Sequence, residues 1–276
     1  MVKIYTIVKD EIDIVKDWIV YHGCTFGWHN LYIIDNLSTD GTWEAINEFR
    51  DLGIHLYRES DYSKKGFYMG KLIREFSCNP NDPIAFPIDI DEFIVYYDHR
   101  TKTIDLNKKM IQDYIQHLPE SRVYKANYIV PYISKKEGYH RAPAEADYGY
   151  YYDLGNRAKS FIHTKYFRGE IDHGNHIECD DYLSTNIHLI HYHHRNVQQY
   201  KKKIKNNLLG LGYPIDLSFL KNLLATNRMC QGNHHVSNAI SILENTFEFP
   251  YDKNEINIHD AISLTPLKKK ILGEYS

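Results

Sequence analysis

Two carboxylates one residue apart, Asp89 and Asp91, sit in Phe86-Pro87-Ile88-Asp89-Ile90-Asp91-Glu92-Phe93, where an apolar run gives way to acid. Oxygen ligands in this arrangement suit a hard divalent ion, magnesium or manganese, that also takes phosphate oxygens. A second constellation is rich in histidine: His163, His173, His176, His188, His191, His193 and His194. If Ile187 to His191 is a strand, alternate side chains share a face, so His191 and His193 point together and Tyr192 points away. Either histidine of this pair can serve as a further metal ligand. No HExxH motif supports a zinc hydrolase.

The elements that must position these residues follow from apolar periodicity. Val2 to Val8 reads as a strand, and Ile12, Val15, Trp18, Ile19 and His22 recur at helical spacing until Gly23 and Gly27. Leu31 to Ile34 and Ile54 to Tyr57 are further strands, separated by a helix from about Trp43 to Leu52 that Ser38 to Thr42 can cap. A helix near Phe67 to Phe76 precedes a fourth strand, Ile84 to Ile88, which ends at Asp89. Alternation of this kind predicts an α/β fold with a mostly parallel central sheet flanked by helices. Its ligands belong beyond the carboxyl ends of the strands, where Val8 to Glu11, Asp35 to Asp40 and Asp89 to Glu92 all fall. Beyond residue 100 the pattern predicts a helix over Leu106 to His117, strands over Val123 to Val130, Ser160 to Tyr166 and Ile187 to His191, a Tyr-rich irregular region over Tyr139 to Tyr152, and a helix over Val197 to Leu209. The remainder, Asn206 to Ser276, reads as a peripheral helical extension.

Four segments, taken together, resemble the successive signatures of the family 92 glycosyltransferases and related family-2-like enzymes. They are Lys9-Asp10-Glu11; Asp17-Trp18-Ile19-Val20-Tyr21-His22; Tyr32-Ile33-Ile34-Asp35-Asn36-Leu37-Ser38-Thr39-Asp40-Gly41-Thr42; and Ile88-Asp89-Ile90-Asp91-Glu92-Phe93. The resemblance spans residues 1 to 205, strongest as far as Val95. It implies a GT-A (Rossmann-like) fold in a single domain over 1–276, with a nucleotide-binding part over about 1–100, an acceptor and metal-completing part over about 101–205, and a helical tail over about 206–276. It also implies a nucleotide-sugar donor, UDP-linked in preference to GDP-linked, a glycan acceptor, Mn2+ or Mg2+, and inversion at the anomeric carbon. Under this reading Val8, Lys9, Glu11, Asp35 and Asn36 line the nucleoside, and Lys65, Asp89 and Arg195 serve the phosphates. Asp89, Asp91, His191 and His193 hold the metal, with His173 or His176 touching diphosphate or acceptor. The residue that removes the acceptor proton is sought among Asp172, Asp181 and Asp153, Asp172 being preferred for its neighbour His173. Lys159, Arg157 and Lys202 are further cations for the leaving diphosphate. Trp18 and Tyr21 are expected to pack.

Two rival readings keep part of this chemistry. A nucleotidyltransferase would need a glycine-rich phosphate loop after the first strand, which Val8-Lys9-Asp10-Glu11 does not supply. A non-catalytic carbohydrate-binding protein would use the 24 tyrosines alone. Among 276 residues, 43% are hydrophobic and 25% charged, which excludes a mostly disordered chain. A net charge of −3 gives no footprint for nucleic acid, and Lys201 to Lys203 with Lys205 read as the solvated side of a helix. Cys24, Cys78, Cys179 and Cys230 form no CxxC pair, so a reducing compartment is expected. The apolar start is too soon interrupted by charge for a signal peptide, and no segment reaches the roughly 20 apolar residues of a membrane helix. The expectation is a cytoplasmic enzyme of viral or bacterial origin.

Overall fold

The computed structural model describes every residue except 80, 82, 121–122, 134–137, 154, 156–157, 170, 173, 178, 180–181, 228–229, 231, 250–259 and 274–276. The chain divides into two compact units. The first comprises residues 1–132, 141–193 and 256–276, and the second 133–140 and 194–255.

The first unit is built on β1 (Val2–Val8), α1 (Val15–Phe26), β2 (Leu31–Asp35), α2 (Thr42–Asn47), β3 (His55–Arg58), α3 (Lys65–Arg74), β4 (Ile84–Pro87), β5 (Glu92–Asp98), β6 (Thr103–Asp105) and α4 (Lys108–Gln116). It continues through β7 (Val123–Pro131), α5 (Ala142–Glu145), β8 (Tyr148–Tyr152), β9 (Lys159–His163) and β10 (Leu183–His191). The main sheet has the order β3-β2-β1-β4-β9-β7-β10-β5-β6. Only β9 and β5 run against the other seven strands, so the sheet is mostly parallel, as the alternating pattern predicts.

β1 and β2 are buried along their whole length, which is why they read as continuous apolar runs rather than alternating ones. Between β1 and β2, α1 ends at Gly27, whose φ of 94° is readily adopted only by glycine. Trp18 and Tyr21 pack and also tether β5: Trp18 Nε1 donates to the Glu92 carbonyl at 2.9 Å and the Tyr21 hydroxyl to that of Ile94 at 2.5 Å. On α3, Met69, Leu72 and Ile73 meet Tyr5, Ile7, Tyr32 and Ile34 in one buried cluster.

The chain departs from the sequence-based outline in two places. Tyr148–Tyr152, expected to be irregular, forms strand β8 against β7. The end of the chain is not only a peripheral helical tail: β11 (Ile262–Ser263) pairs with β8, and α9 (Thr265–Ile271) sends Lys270 Nζ to the Leu106 carbonyl at 3.2 Å. The second unit contains α6 (Val197–Gly210), α7 (Leu217–Thr226) and α8 (Asn233–Leu243) around Tyr200, Ile204, Leu208, Leu220, Val236 and Phe249. No helix among the described residues is long and apolar enough to cross a membrane.

Candidate functional site

β4 delivers its last residues to the carboxyl edge of the sheet, and a tight turn returns the chain as β5. The turn closes on itself: the Glu92 amide donates to the Asp89 carbonyl at 3.1 Å, and the Asp89 amide to Glu92 Oε2 at 2.9 Å. Ile88 and Ile90 are buried beneath it. Glu92, itself fully buried, accepts the Tyr128 hydroxyl at 2.7 Å and lies 3.2 Å from Lys159 Nζ. A carboxyl buried this deeply needs such partners to replace the water it has lost.

Asp89 and Asp91 have separate surroundings. Lys65 Nζ reaches Asp89 Oδ1 at 2.8 Å, Lys159 Nζ reaches Oδ2 at 2.7 Å, and the Asn175 side-chain amide donates to Oδ1 at 2.8 Å. Burial works against the Asp89 charge, but Lys159 and Lys65 outweigh it and hold the carboxyl well below the usual range. Burial likewise opposes the Lys65 and Lys159 ammoniums, yet Asp89 and the neighbouring acids keep both above the ordinary lysine value. The result is a pair of locked cations at the strand end.

Asp91 turns the other way, is 1% exposed, and takes the Tyr192 amide on its carbonyl at 2.8 Å. One ligand atom from each of Asp91, His191 and His193 lies within 4.8 Å of the others. His191 Nε2 is 3.5 Å from Asp91 Oδ1, and its ring lies against Tyr128 with centroids 4.6 Å apart. The register explains the meeting, because His191 ends β10 directly opposite Glu92 at the start of β5. Two imidazoles and a carboxylate form a donor set for a first-row divalent ion, better matched to manganese than to magnesium, which prefers oxygen alone. Asp89, expected to share this role, is not in the trio; its oxygens are taken by two ammoniums and an amide.

The other residues of the carboxyl edge are tied into the loops that follow β1 and β2. Lys9 Nζ donates to the Asn36 carbonyl at 2.7 Å, Asn36 donates its side-chain amide to Glu59, and the Asn36 amide bonds Val8. Asp35 accepts from Arg58 Nε at 3.1 Å and from the Ser38 amide at 3.2 Å. The Glu11 amide donates to Thr42 Oγ1 at 2.9 Å. Asp10 and Leu37 take left-handed backbone conformations, φ 55° and 51°, in these interlocked loops.

Two of the expected proton acceptors, Asp172 and Asp153, have different surroundings. Asp172 accepts from the His176 amide at 2.7 Å and lies 2.8 Å from its Nδ1, in a hairpin closed by the Ile171–Ile177 bridge. Burial raises its pKa, but the hydrogen bonds from His176 outweigh this and hold it below the usual carboxylate range. Asp153 is not brought to the site: it pairs with Lys125 at 3.5 Å, on the face of β7 opposite Tyr128. Asp181 lies outside the described residues, as do Asp180, His173 and Arg157. Arg195, 2% exposed, and Lys202 belong to the second unit.

Glu92, Tyr128 and Asn175 escaped the sequence reading as site residues. Glu92 was read as part of the acidic motif but given no role of its own, and Gly174-Asn175 is a turn dipeptide in which Asn175 adopts φ 60° and donates its amide to Asp89.

No family model matches the chain, and no curated protein matches it, so the family 92 resemblance rests on the four motifs alone. Solved structures of S. aureus TarS are similar at low identity. TarS residues 1–349 in complex with UDP aligns with TM-score 0.39 and 8% identity, over 89% of this chain and 71% of that one. A second structure of TarS residues 1–349 gives TM-score 0.40 and 9% identity, over 99% and 80%; a longer TarS chain gives 0.40 and 9%, over 99% and 48%. Likeness at this level leaves function to the site itself.

Proposed function

We propose that the chain is a metal-dependent inverting glycosyltransferase of GT-A architecture, moving a hexosyl or pentosyl group from a UDP-linked donor to a glycan hydroxyl. The observation that supports this reading is the adjacency, across one turn, of two kinds of phosphate chemistry at the carboxyl edge of a parallel sheet. The Asp91, His191 and His193 trio can hold a divalent ion, and the Lys65–Asp89–Lys159 cluster offers two locked cations. When bound, such an ion supplies positive charge to the donor's diphosphate. Lys65 and Lys159 act beside it without needing to reorganise, because Asp89 and Glu92 already fix them; preorganised charge stabilises a leaving group more than charge that must first be ordered.

A single displacement with inversion requires a base for the acceptor hydroxyl. Asp172 is our assignment. Hydrogen bonds from His176 hold its carboxyl below the usual carboxylate range, and Asn175 of the same hairpin touches Asp89. Val8, Lys9, Glu11, Asp35 and Asn36 form the rigid edge against which the nucleoside would lie. The nucleotidyltransferase reading lacks a glycine-rich loop after β1, where Lys9, Asp10 and Glu11 stand instead.

The test is turnover of UDP-sugars with manganese, scored as UDP release, before and after Asp91→Ala. Metal-dependent release that Asp91→Ala abolishes is expected. A protein that binds sugars yet releases no UDP from any donor would be the carbohydrate-binding alternative.

A further inference from the structure

Between α4 and the β5–β6 edge runs a groove of about 590 Å3 that the transfer chemistry does not use. Tyr96, Asp105, Lys109, Asp113, Tyr114 and His117 line it. The Tyr96 and Tyr114 rings meet edge to face, with centroids 5.1 Å apart and planes at 76°. One residue fixes both: Asn186 donates its side-chain amide to the Tyr96 hydroxyl and its backbone amide to the Tyr114 hydroxyl, each at 2.9 Å. The two half-buried rings are thus set at a fixed angle before any ligand arrives, which lowers the ordering cost of binding.

The polar groups around this corner carry both signs. Asp105 caps the turn into α4 through the Asn107 amide at 2.7 Å. Among the described residues, neither the Asp113 carboxylate nor the Lys109 ammonium has a hydrogen bond or ion pair; both are exposed on α4. A hydroxyl both donates and accepts, so a polyol satisfies a carboxylate and an ammonium together. An anion or cation would meet a like charge in the same groove. Flat aromatic faces stack on the C–H faces of pyranose rings, and two rings at a fixed angle select a bent chain.

We propose that this groove binds an uncharged oligosaccharide. Tyr96 lies four residues along β5 from Glu92, roughly 13 Å at about 3.3 Å per residue, so the bound glycan sits a few sugar units from the Asp89–Glu92 turn. The inference rests on the groove's own chemistry and does not require the transferase reading.

The test is binding of the full chain to a printed array of uncharged hexose, pentose and N-acetylhexosamine oligosaccharides, repeated with Tyr114→Ala and with Asp113→Asn. Asp113 is exposed and its carboxylate has no partner among the described residues, so its substitution probes the groove without the loss of packing that Tyr114→Ala brings to α4. Signal on at least one glycan class, reduced at least tenfold by each variant while the thermal shift given by manganese alone is unchanged, is the expected result. An array without signal, or signal that Asp113→Asn leaves intact, overturns the proposal.

Discussion

Lys159 Nζ stands 2.7 Å from Asp89 Oδ2 and 3.2 Å from Glu92 Oε1, so one buried ammonium joins the two ends of the β4–β5 turn. Its side chain is 3% exposed. Removing it leaves Glu92 buried beside Tyr128 without its cation, a loss of about 3–5 kcal/mol for a broken buried pair. Lys159→Met is therefore expected to lower the free energy of urea unfolding by that order. Because Lys159 and Asp89 share one network, the Lys159→Met, Asp89→Asn double variant should cost at least about 1 kcal/mol less than the sum of the singles. Additive costs would mean that the contact carries no coupling.

The separate surroundings of the two aspartates make a second expectation. Manganese alone, followed by loss of the free-ion electron paramagnetic resonance signal, should bind in the absence of nucleotide. Asp91→Asn and His193→Ala are each expected to weaken that binding at least tenfold. Asp89→Asn should change it by less than threefold, because the Asp89 oxygens face Lys65, Lys159 and Asn175 rather than the histidines. Equal losses at Asp89 and Asp91 would restore a shared carboxylate pair as the ligand set.

What could be read in advance was what depends on local pattern. β1, β2 and β4 are short, largely apolar runs of the kind a parallel sheet needs; β2 ends in Asp35 and β4 is followed two residues on by Asp89, so both acids could be assigned to one edge. The meeting of Asp91 with His191 and His193 was legible in part, because alternation carried past the end of the strand puts the two histidines on one side, and their ring centroids lie 5.2 Å apart. The division of labour between Asp89 and Asp91 was not legible. It depends on Lys65, Lys159 and Asn175, which lie 24, 70 and 86 residues from Asp89, and no short-range pattern encodes which lysines fold back upon it. β8 was hidden for a different reason: Tyr148, Tyr150, Tyr151 and Tyr152 show no polar–apolar alternation, since tyrosine suits either face of a strand. The pairing of Asp153 with Lys125 was not legible either, because the two lie 28 residues apart and meet only through the β7–β8 pairing.

Gly66 lets the 171–177 hairpin approach α3. A Cβ built on it would lie 1.7 Å from the Ile171 carbonyl oxygen, a backbone atom that cannot step aside alone. Gly66→Ala is expected to destabilise by about 1–3 kcal/mol, the range for overpacking, and to weaken donor binding by shifting Asn175 and Lys65. Gly169→Ala, which meets nothing within 4 Å, should stay within about 0.5 kcal/mol of the parent. Paired urea titrations decide this, and equal stability of the two variants would remove the steric argument.

His22 makes stability depend on acid. It is fully buried in α1, where its Nδ1 lies 2.9 Å from the Trp18 carbonyl and its Nε2 accepts the Ile94 amide at 3.3 Å. The neutral ring satisfies both contacts, whereas a proton on Nε2 would oppose the Ile94 N–H. Burial pushes its pKa down to about 3, with the Trp18 carbonyl opposing and Lys270 assisting. An unfolded histidine titrates near 6.5, so between these values the unfolded chain binds the extra proton and the folded chain does not. Stability is then complete above about pH 6.5 and is lost as pH falls toward 3. Between pH 7 and pH 5 this one residue should remove on the order of 2 kcal/mol. His188 and His235, lowered to about 4 and about 3 by burial, act in the same direction, so the informative quantity is a difference between two proteins. His22→Gln should be less stable at pH 7 but should lose about 2 kcal/mol less than the parent on acidification to pH 5. Identical losses in urea titrations at the two pH values would show that His22 is protonated in the folded state.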